Sequence, residues 1–393
     1  MERLSLKLFD ETLRDGEQQA GLFFPYRIKK KLAHLIAQTG VESLDIMPFI
    51  SESETSLVKT LVSEGLSDII TSATMTGRHY IDQAASCGIK RIILFYGISD
   101  RLLLIRDPEF RQLPDYQGKT VDDGIPQNII NTVRQNAFDK ILDSLRYATE
   151  ILGLKVDFAA EDASRADFDF LVECICSFKP YIEHFMLCDT VGILSPEKTY
   201  IWIHDLHQFT KNTPLGVHFH NDMGMALENT LQAVMAGVSM VSGTFLGIGE
   251  RAGNVALEQV LNGLRVRFGI EVEGIDYDLI ANVCEYLEQF GVRPASPYSQ
   301  AAQRSESGIH VNSFLYDRHS YNVFPYDKLE VWFGKNSGAS NFQYLFDKEG
   351  LQPQSKERYE KMRSVIKSLA TEQERCFTGQ EVLELLRQGI FDE

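Results

Sequence analysis

Apolar and polar positions follow two alternating rhythms over the first 268 residues. Short apolar runs predict strands at Leu4–Thr12, Val41–Phe49, Asp68–Met75, Arg91–Ser99, Lys155–Asp162, Tyr181–Thr190, Leu215–Asp222 and Met240–Gly247. The segments between them (26–39, 52–64, 77–87, 131–152, 166–178, 196–209 and 224–236) carry apolar residues at helical spacing, and an eighth follows at 254–268. Eight strand–helix units in about 265 residues is the size and rhythm of a (β/α)8 TIM barrel. A doubly wound open sheet is the alternative. The count of eight, and the lack of a G-x-G-x-x-G turn after the first strand, favour the barrel. After residue 270 the alternation stops. Helical stretches at 277–290, 355–372 and 379–389 remain, with an irregular region rich in Ser, Asn, Tyr and Pro over 292–340. The predicted organisation is a catalytic barrel over 1–270 and a smaller, mainly helical C-terminal region over 271–393 that contributes to the active site and to dimerisation.

A barrel of this kind gathers its chemistry at the C-terminal ends of its strands. Those ends carry Arg14-Asp15, Ser99-Asp100-Arg101, Glu161-Asp162, Asp189-Thr190, His218-x-His220 and the loop Gly247–Asn254. Side chains two apart on a strand share a face, so His218 and His220 present two imidazoles side by side while Phe219 turns away. Asp15 ends the first strand and Asn254 follows the eighth, and these strands are neighbours once a barrel closes. One Asp, two His and one Asn make a mixed oxygen and nitrogen site suited to Mg, Mn, Zn or Co, with positions left open for a substrate. Arg14 beside it is placed to stabilise a developing negative charge or to clamp a carboxylate. Glu161 and Thr190 end the fifth and sixth strands over the same cavity. Taken singly, each residue also has a structural reading: a helix cap for Asp15 or Asn254, an ion pair for Arg14. The connection at 100–130 is long for a barrel and reads either as a lid or specificity element or as a surface insertion.

Composition narrows the partners. A net charge of −16 excludes a nucleic-acid surface, and any anionic substrate must be met by local cations. No apolar run reaches the roughly 20 residues of a membrane span, and the N-terminus shows no basic-then-apolar leader. A cytoplasmic location without membrane contact is the expectation. The six cysteines are scattered and read as reduced thiols.

The motifs LFDETLRDGEQQAG, CDTVGILSPE, HFHNDMGMALENTLQAVMAGV, GTFLGIGERAGN and SGIHVN occur in this order. They resemble the 2-isopropylmalate synthase/homocitrate synthase group of the DRE-TIM metallolyase superfamily. The resemblance implies an acyltransferase of amino-acid biosynthesis type that condenses acetyl-CoA with a 2-oxo acid, uses a divalent cation (Zn, Mg or Mn) and releases free CoA. It implies that Asp15, His218, His220 and Asn254 bind the metal, that Arg14 stabilises charge beside it, and that Thr190 binds the substrate carboxylate. Glu161, His310 and Tyr321 are implied to handle the methyl proton and the alkoxide, with His310 near its ordinary pKa of about 6.5 acting as base. In this family the C-terminal unit often lies over the partner's barrel, so the resemblance implies a homodimer and leaves open whether His310 and Tyr321 act in cis or across it. The rival reading is a lyase of the HMG-CoA type. Such lyases look to carry a cysteine in the loop corresponding to 247–254, which has none here.

Several positions depart from the family pattern. Ala159 stands where a Ser is common, and Leu102 and Leu103 stand where a His or Arg would meet the oxo acid, leaving Arg101 as the adjacent cation. Asn336 and Ser305 each replace a frequent His. These departures predict a non-standard 2-oxo acid, apolar or aromatic. The regulatory domain of many isopropylmalate synthases has no room after this region, so leucine feedback through it is not expected.

Overall fold

Runs such as Arg91–Gly97 (RIILFYG) and Phe185–Asp189 (FMLCD) are apolar on both faces because helices cover one face and the barrel interior the other. The computed structural model describes residues 2–210, 213–322 and 329–392. Its eight barrel strands are Lys7–Asp10, Ser43–Asp45, Ile70–Met75, Arg91–Gly97, Lys155–Glu161, Phe185–Asp189, Leu215–Phe219 and Met240–Gly243. All are parallel and run in chain order around a closed TIM barrel. The last pairs with the first, from Lys7 opposite Met240 to Asp10 opposite Gly243. Phe9, Ile93, Ala159, Met186, Cys188 and Met240 fill the interior.

Three boundaries differ from the pattern-based ones. The run Leu4–Thr12 is two strands: Glu2–Leu4 leaves the barrel and pairs in parallel with Ile270–Val272. Alternating leucines cannot reveal that break, because the partner lies remote in sequence. The stretch read as open connection at 100–130 begins with a helix, Asp100–Arg106, capped by the Ser99 hydroxyl, and buries Leu102, Leu103 and Leu104. Short 3-10 turns then lead to the helix Gln127–Arg146. Finally, helix Tyr277–Glu288 buries Ile280, Val283 and Leu287 in the barrel's own core, together with Val292. The packing boundary therefore falls beyond residue 292, not at 270.

The remaining C-terminal region has a separate core around Val311, Phe333, Phe342, Ile366 and Phe377. Four helices (Gly308–Phe314, Ala339–Lys348, Lys356–Gln373, Gly379–Arg387) surround a small sheet of Arg304–Ser305, Glu330–Phe333 and Phe377–Thr378. Those strands are too short to show as a sequence pattern.

A buried square of four charges fastens this region to the barrel. Lys29 Nζ lies 2.5 Å from Glu17 and 2.7 Å from Glu54, and Lys335 Nζ lies 2.6 Å from each of the same two carboxylates. Burial opposes every charge in it, but the two lysines outweigh burial and hold Glu54 down to about 2. Likewise the two glutamates outweigh burial at Lys335 and hold it above its usual range. Replacing Lys335 with Met leaves two buried carboxylates sharing one cation and should cost about 3–5 kcal/mol, measured by denaturant unfolding. The pH dependence follows from the signs. The Glu54 contribution is complete above its usual 4.5 and is lost as pH falls toward 2. The Lys335 contribution is complete below its usual 10.5 and is lost on the alkaline side. The stabilisation that this square supplies, read as the difference between the native chain and Lys335→Met at each pH, should therefore hold level between these limits and shrink outside them.

Candidate active site

Barrel closure sets Asp15, just past the first strand, beside the ends of the seventh and eighth. His218 Nε2 and His220 Nε2 lie 3.3 Å apart, and Asp15 Oδ2 stands 3.8 and 3.9 Å from them. An ion about 2.0–2.2 Å from each of three donors spreads those donors to about 3–3.5 Å. The group is thus close to the spacing of a divalent-metal site, and all three residues are buried. Burial holds His218 down to about 4 and His220 well below the ordinary imidazole value, so both are neutral, the form in which imidazole can bind a metal. Burial also disfavours the Asp15 carboxylate, but neighbouring Arg14 outweighs it and keeps the group ionised.

The hydrogen-bond accounting orients one imidazole. Ser242 has a single proton, donated to Glu11 Oε1 at 2.7 Å, so the contact of 3.0 Å between His218 Nδ1 and Ser242 Oγ needs the proton on Nδ1. The lone pair of His218 Nε2 then faces the site. His220 Nδ1 has no partner among the described residues. Asn254 donates Nδ2 to Asp15 Oδ1 at 2.7 Å and to the Ile248 carbonyl at 3.1 Å, which leaves its buried Oδ1 without a partner. A buried acceptor left unpaired is costly, and a cation would satisfy it. Gly249 makes the contact possible. Its φ is +149°, and a Cβ there would stand 2.1 Å from Asn254 Nδ2 and 2.6 Å from Asp15 Oδ1.

Arg14 spends all its nitrogens on acids: Glu11, Asp15 at 2.9 Å and Asp45 at 3.0 Å. Above the fifth strand, Glu161 is gripped by Arg106 at 2.6 Å and accepts the Tyr321 phenol, while Arg106 also donates to that phenol at 2.7 Å. His310 stacks on the Tyr321 ring with centroids 3.7 Å apart and pairs through Nδ1 with Glu250. His310 does not have the ordinary imidazole pKa expected of it. Burial, with Arg251 nearby, holds it well below that value, and burial with Asp15 pushes Glu250 well up. The pair shares protons as neutral partners.

A cavity of about 90 Å³ joins these groups: Arg14, Asp15, Ala159, Glu161, Thr190, His218, His220 and His310 all line it. The Thr190 hydroxyl accepts the Asp162 N–H at 2.8 Å. Arg101 is not brought in. Its guanidinium is bound to Asp122 and Asp317, so it ties the long connection to the C-terminal region. Within this chain, His310 and Tyr321 lie over its own barrel, touching Glu250, Glu161 and Arg106. Glu11, Ser242, Glu250 and Arg106 were not picked out by sequence. Glu11 and Glu250 sat inside the quoted motifs as acids flanking proposed site residues. Arg106 gave no such signal, because Gly97, whose missing side chain lets the guanidinium approach, is meaningful only once folded.

A family model described as HMGL-like matches residues 5–111 and 121–286. The chain belongs to this family. The gap between the matched HMGL-like segments falls in the connection after the fourth strand. Among curated relatives, the homocitrate synthase of Methanopyrus kandleri is 30% identical over 98% of this chain and 92% of its own. The 2-isopropylmalate synthase of Sulfurisphaera tokodaii is 31% identical over 92% and 90%. The putative (R)-citramalate synthase of Archaeoglobus fulgidus is 30% identical over 88% and 68%. Among solved structures, the HMG-CoA lyase of Brucella melitensis aligns with TM-score 0.55 at 15% identity, covering 74% of this chain and 99% of its own. That of Pseudomonas aeruginosa aligns with TM-score 0.55 at 18% identity, covering 76% and 96%. These two share the barrel fold. No described helix is long and apolar enough to cross a membrane.

Removing the orienting hydroxyl in Ser242→Ala should weaken divalent-metal binding by about 10–100-fold in calorimetric titration. Removing a ligand in His220→Ala should weaken it further. Unchanged affinity in both would end the assignment of these residues to a metal.

Proposed function

We propose that this protein condenses acetyl-CoA with a 2-oxo acid, forming a carbon–carbon bond and releasing free CoA. The observation that carries this reading is the position of His310, which lines both the inner cavity and a larger outer cleft of about 1000 Å³. An oxo acid can lie within the inner cavity while a thioester reaches His310 from the cleft, whose walls include Arg304, Arg318 and Lys348. The synthase names of the curated relatives support the same reaction class.

Asp15, His218, His220 and Asn254 would hold a divalent cation, which when bound supplies Lewis-acid polarisation of a keto oxygen. Once the His310–Glu250 pair has lost one proton, Glu250 accepts Nδ1–H and frees Nε2 to take a proton from the acetyl methyl group. The carbon electron pair then attacks the keto carbon, and negative charge moves to the keto oxygen. Arg14, in the cavity wall, is the fixed positive charge available to it. The Tyr321 phenol, kept protonated chiefly by burial, offers a proton route to the new hydroxyl, with Glu161 accepting its hydrogen bond. Water then cleaves the thioester, giving a 2-substituted malate-type acid and the CoA thiol. Arg251 steadies the loop that bears Glu250 by a two-point bond to Asp222 at 2.8 and 3.0 Å.

A thiol-release assay with acetyl-CoA, a divalent metal and a panel of 2-oxo acids tests the reading. Release should require both the oxo acid and the metal, and His310→Ala should lower kcat by about 10²–10⁴-fold. Cleavage of a hydroxyacyl-CoA with no thiol release from any oxo acid would move the protein to the lyase class.

A further inference from the structure

We infer that the inner cavity selects a 2-oxo acid with one carboxylate and a short aliphatic side chain, and that Phe95, in its wall, is a specificity-determining residue. This rests on the condensation reading above. The cavity has two unlike walls. The first, seventh and eighth strands carry the ligand group, and facing it stand Met47, Ile93, Phe95, Ala159, Met186 and Cys188 from the second to the sixth. A keto acid with its oxygens turned to the first wall points its side chain at the second, where apolar groups stand below Glu161 and Thr190 at the strand ends.

Charge leads to the same answer. A second carboxylate on the substrate would need a cation, and Arg14, the one Arg or Lys lining the cavity among the described residues, is already matched. Arg14 serves three acids. Arg106 gives one terminal nitrogen to Glu161 and the other to Tyr321. Arg101 is held by Asp122 and Asp317. Drawing Arg106 toward a substrate would strand Glu161, which is mostly buried, so the bridge does not offer a free charge. Size excludes bulky side chains. The cavity is about 90 Å³, smaller than the roughly 150 Å³ apolar cavity that holds a benzene ring.

The test compares pyruvate, 2-oxobutyrate and 3-methyl-2-oxobutyrate with oxaloacetate, 2-oxoglutarate and phenylpyruvate. The full chain is used with a divalent metal, measuring kcat/KM by thiol release and, separately, thermal stabilisation by each acid without acetyl-CoA. The expected result is a preference of at least 100-fold in kcat/KM for an aliphatic monoacid, with the same rank order in stabilisation. Equal or better use of a diacid overturns the inference while leaving the condensation intact. Stabilisation by the aliphatic acids without any thiol release upholds the ligand class and overturns the condensation. If no acid stabilises the protein or releases thiol, both fall. Phe95→Ala, which widens the apolar wall, should raise the ratio of phenylpyruvate to pyruvate turnover at least tenfold. An unchanged ratio counts against the wall as the selector.

Discussion

The pairing of the first barrel strand with the eighth is the constraint on which the site depends. It brings Asp15 and Asn254, 239 residues apart, within 2.7 Å, and places both beside the His218-x-His220 pair on the seventh strand. The parallel register from Lys7 opposite Met240 to Asp10 opposite Gly243 leaves no freedom of one residue, since a slip would turn alternate side chains to the other face. The absence of a side chain at Gly249 then lets the loop after the eighth strand close onto the carboxylate. A group of side chains built this way is as rigid as the barrel that carries it.

Above that rigid floor, the C-terminal region is held by charges that are buried and matched. The Lys29–Glu17–Glu54–Lys335 square anchors one side. On the other, three barrel arginines reach residues 317–321: Arg101 to Asp317, Arg165 to the backbone carbonyls of His319 and Ser320, and Arg106 to Tyr321. Buried ion pairs of this kind contribute little net stability but penalise any other arrangement strongly, because a displaced partner leaves a lone charge. They therefore fix where His310 and Tyr321 stand over the cavity. The same matching explains why the cavity has so little spare positive charge in a chain of net charge −16.

Much of this was legible in the chain itself. Eight alternations of period determined the barrel, because strands covered on both faces must be apolar and the helices between them amphipathic. The spacing of two residues between His218 and His220 determined that they share a face, and the rule that barrel chemistry sits at strand ends singled out Asp15, Glu161, Thr190 and the 247–254 loop. What only the tertiary structure decided were the pairings. Arg101 and Arg106 lie five residues apart on one helix, hence about 140° apart around its axis, and sequence could not say which of them reached Glu161. Glu11, Ser242 and Glu250 take their roles from partners remote in the chain, and the pKa of His310 follows from burial between the C-terminal region that carries it and the barrel mouth. Local periodicity determines elements and faces, whereas charge matching across closed strands and packed domains exists only once the chain has folded.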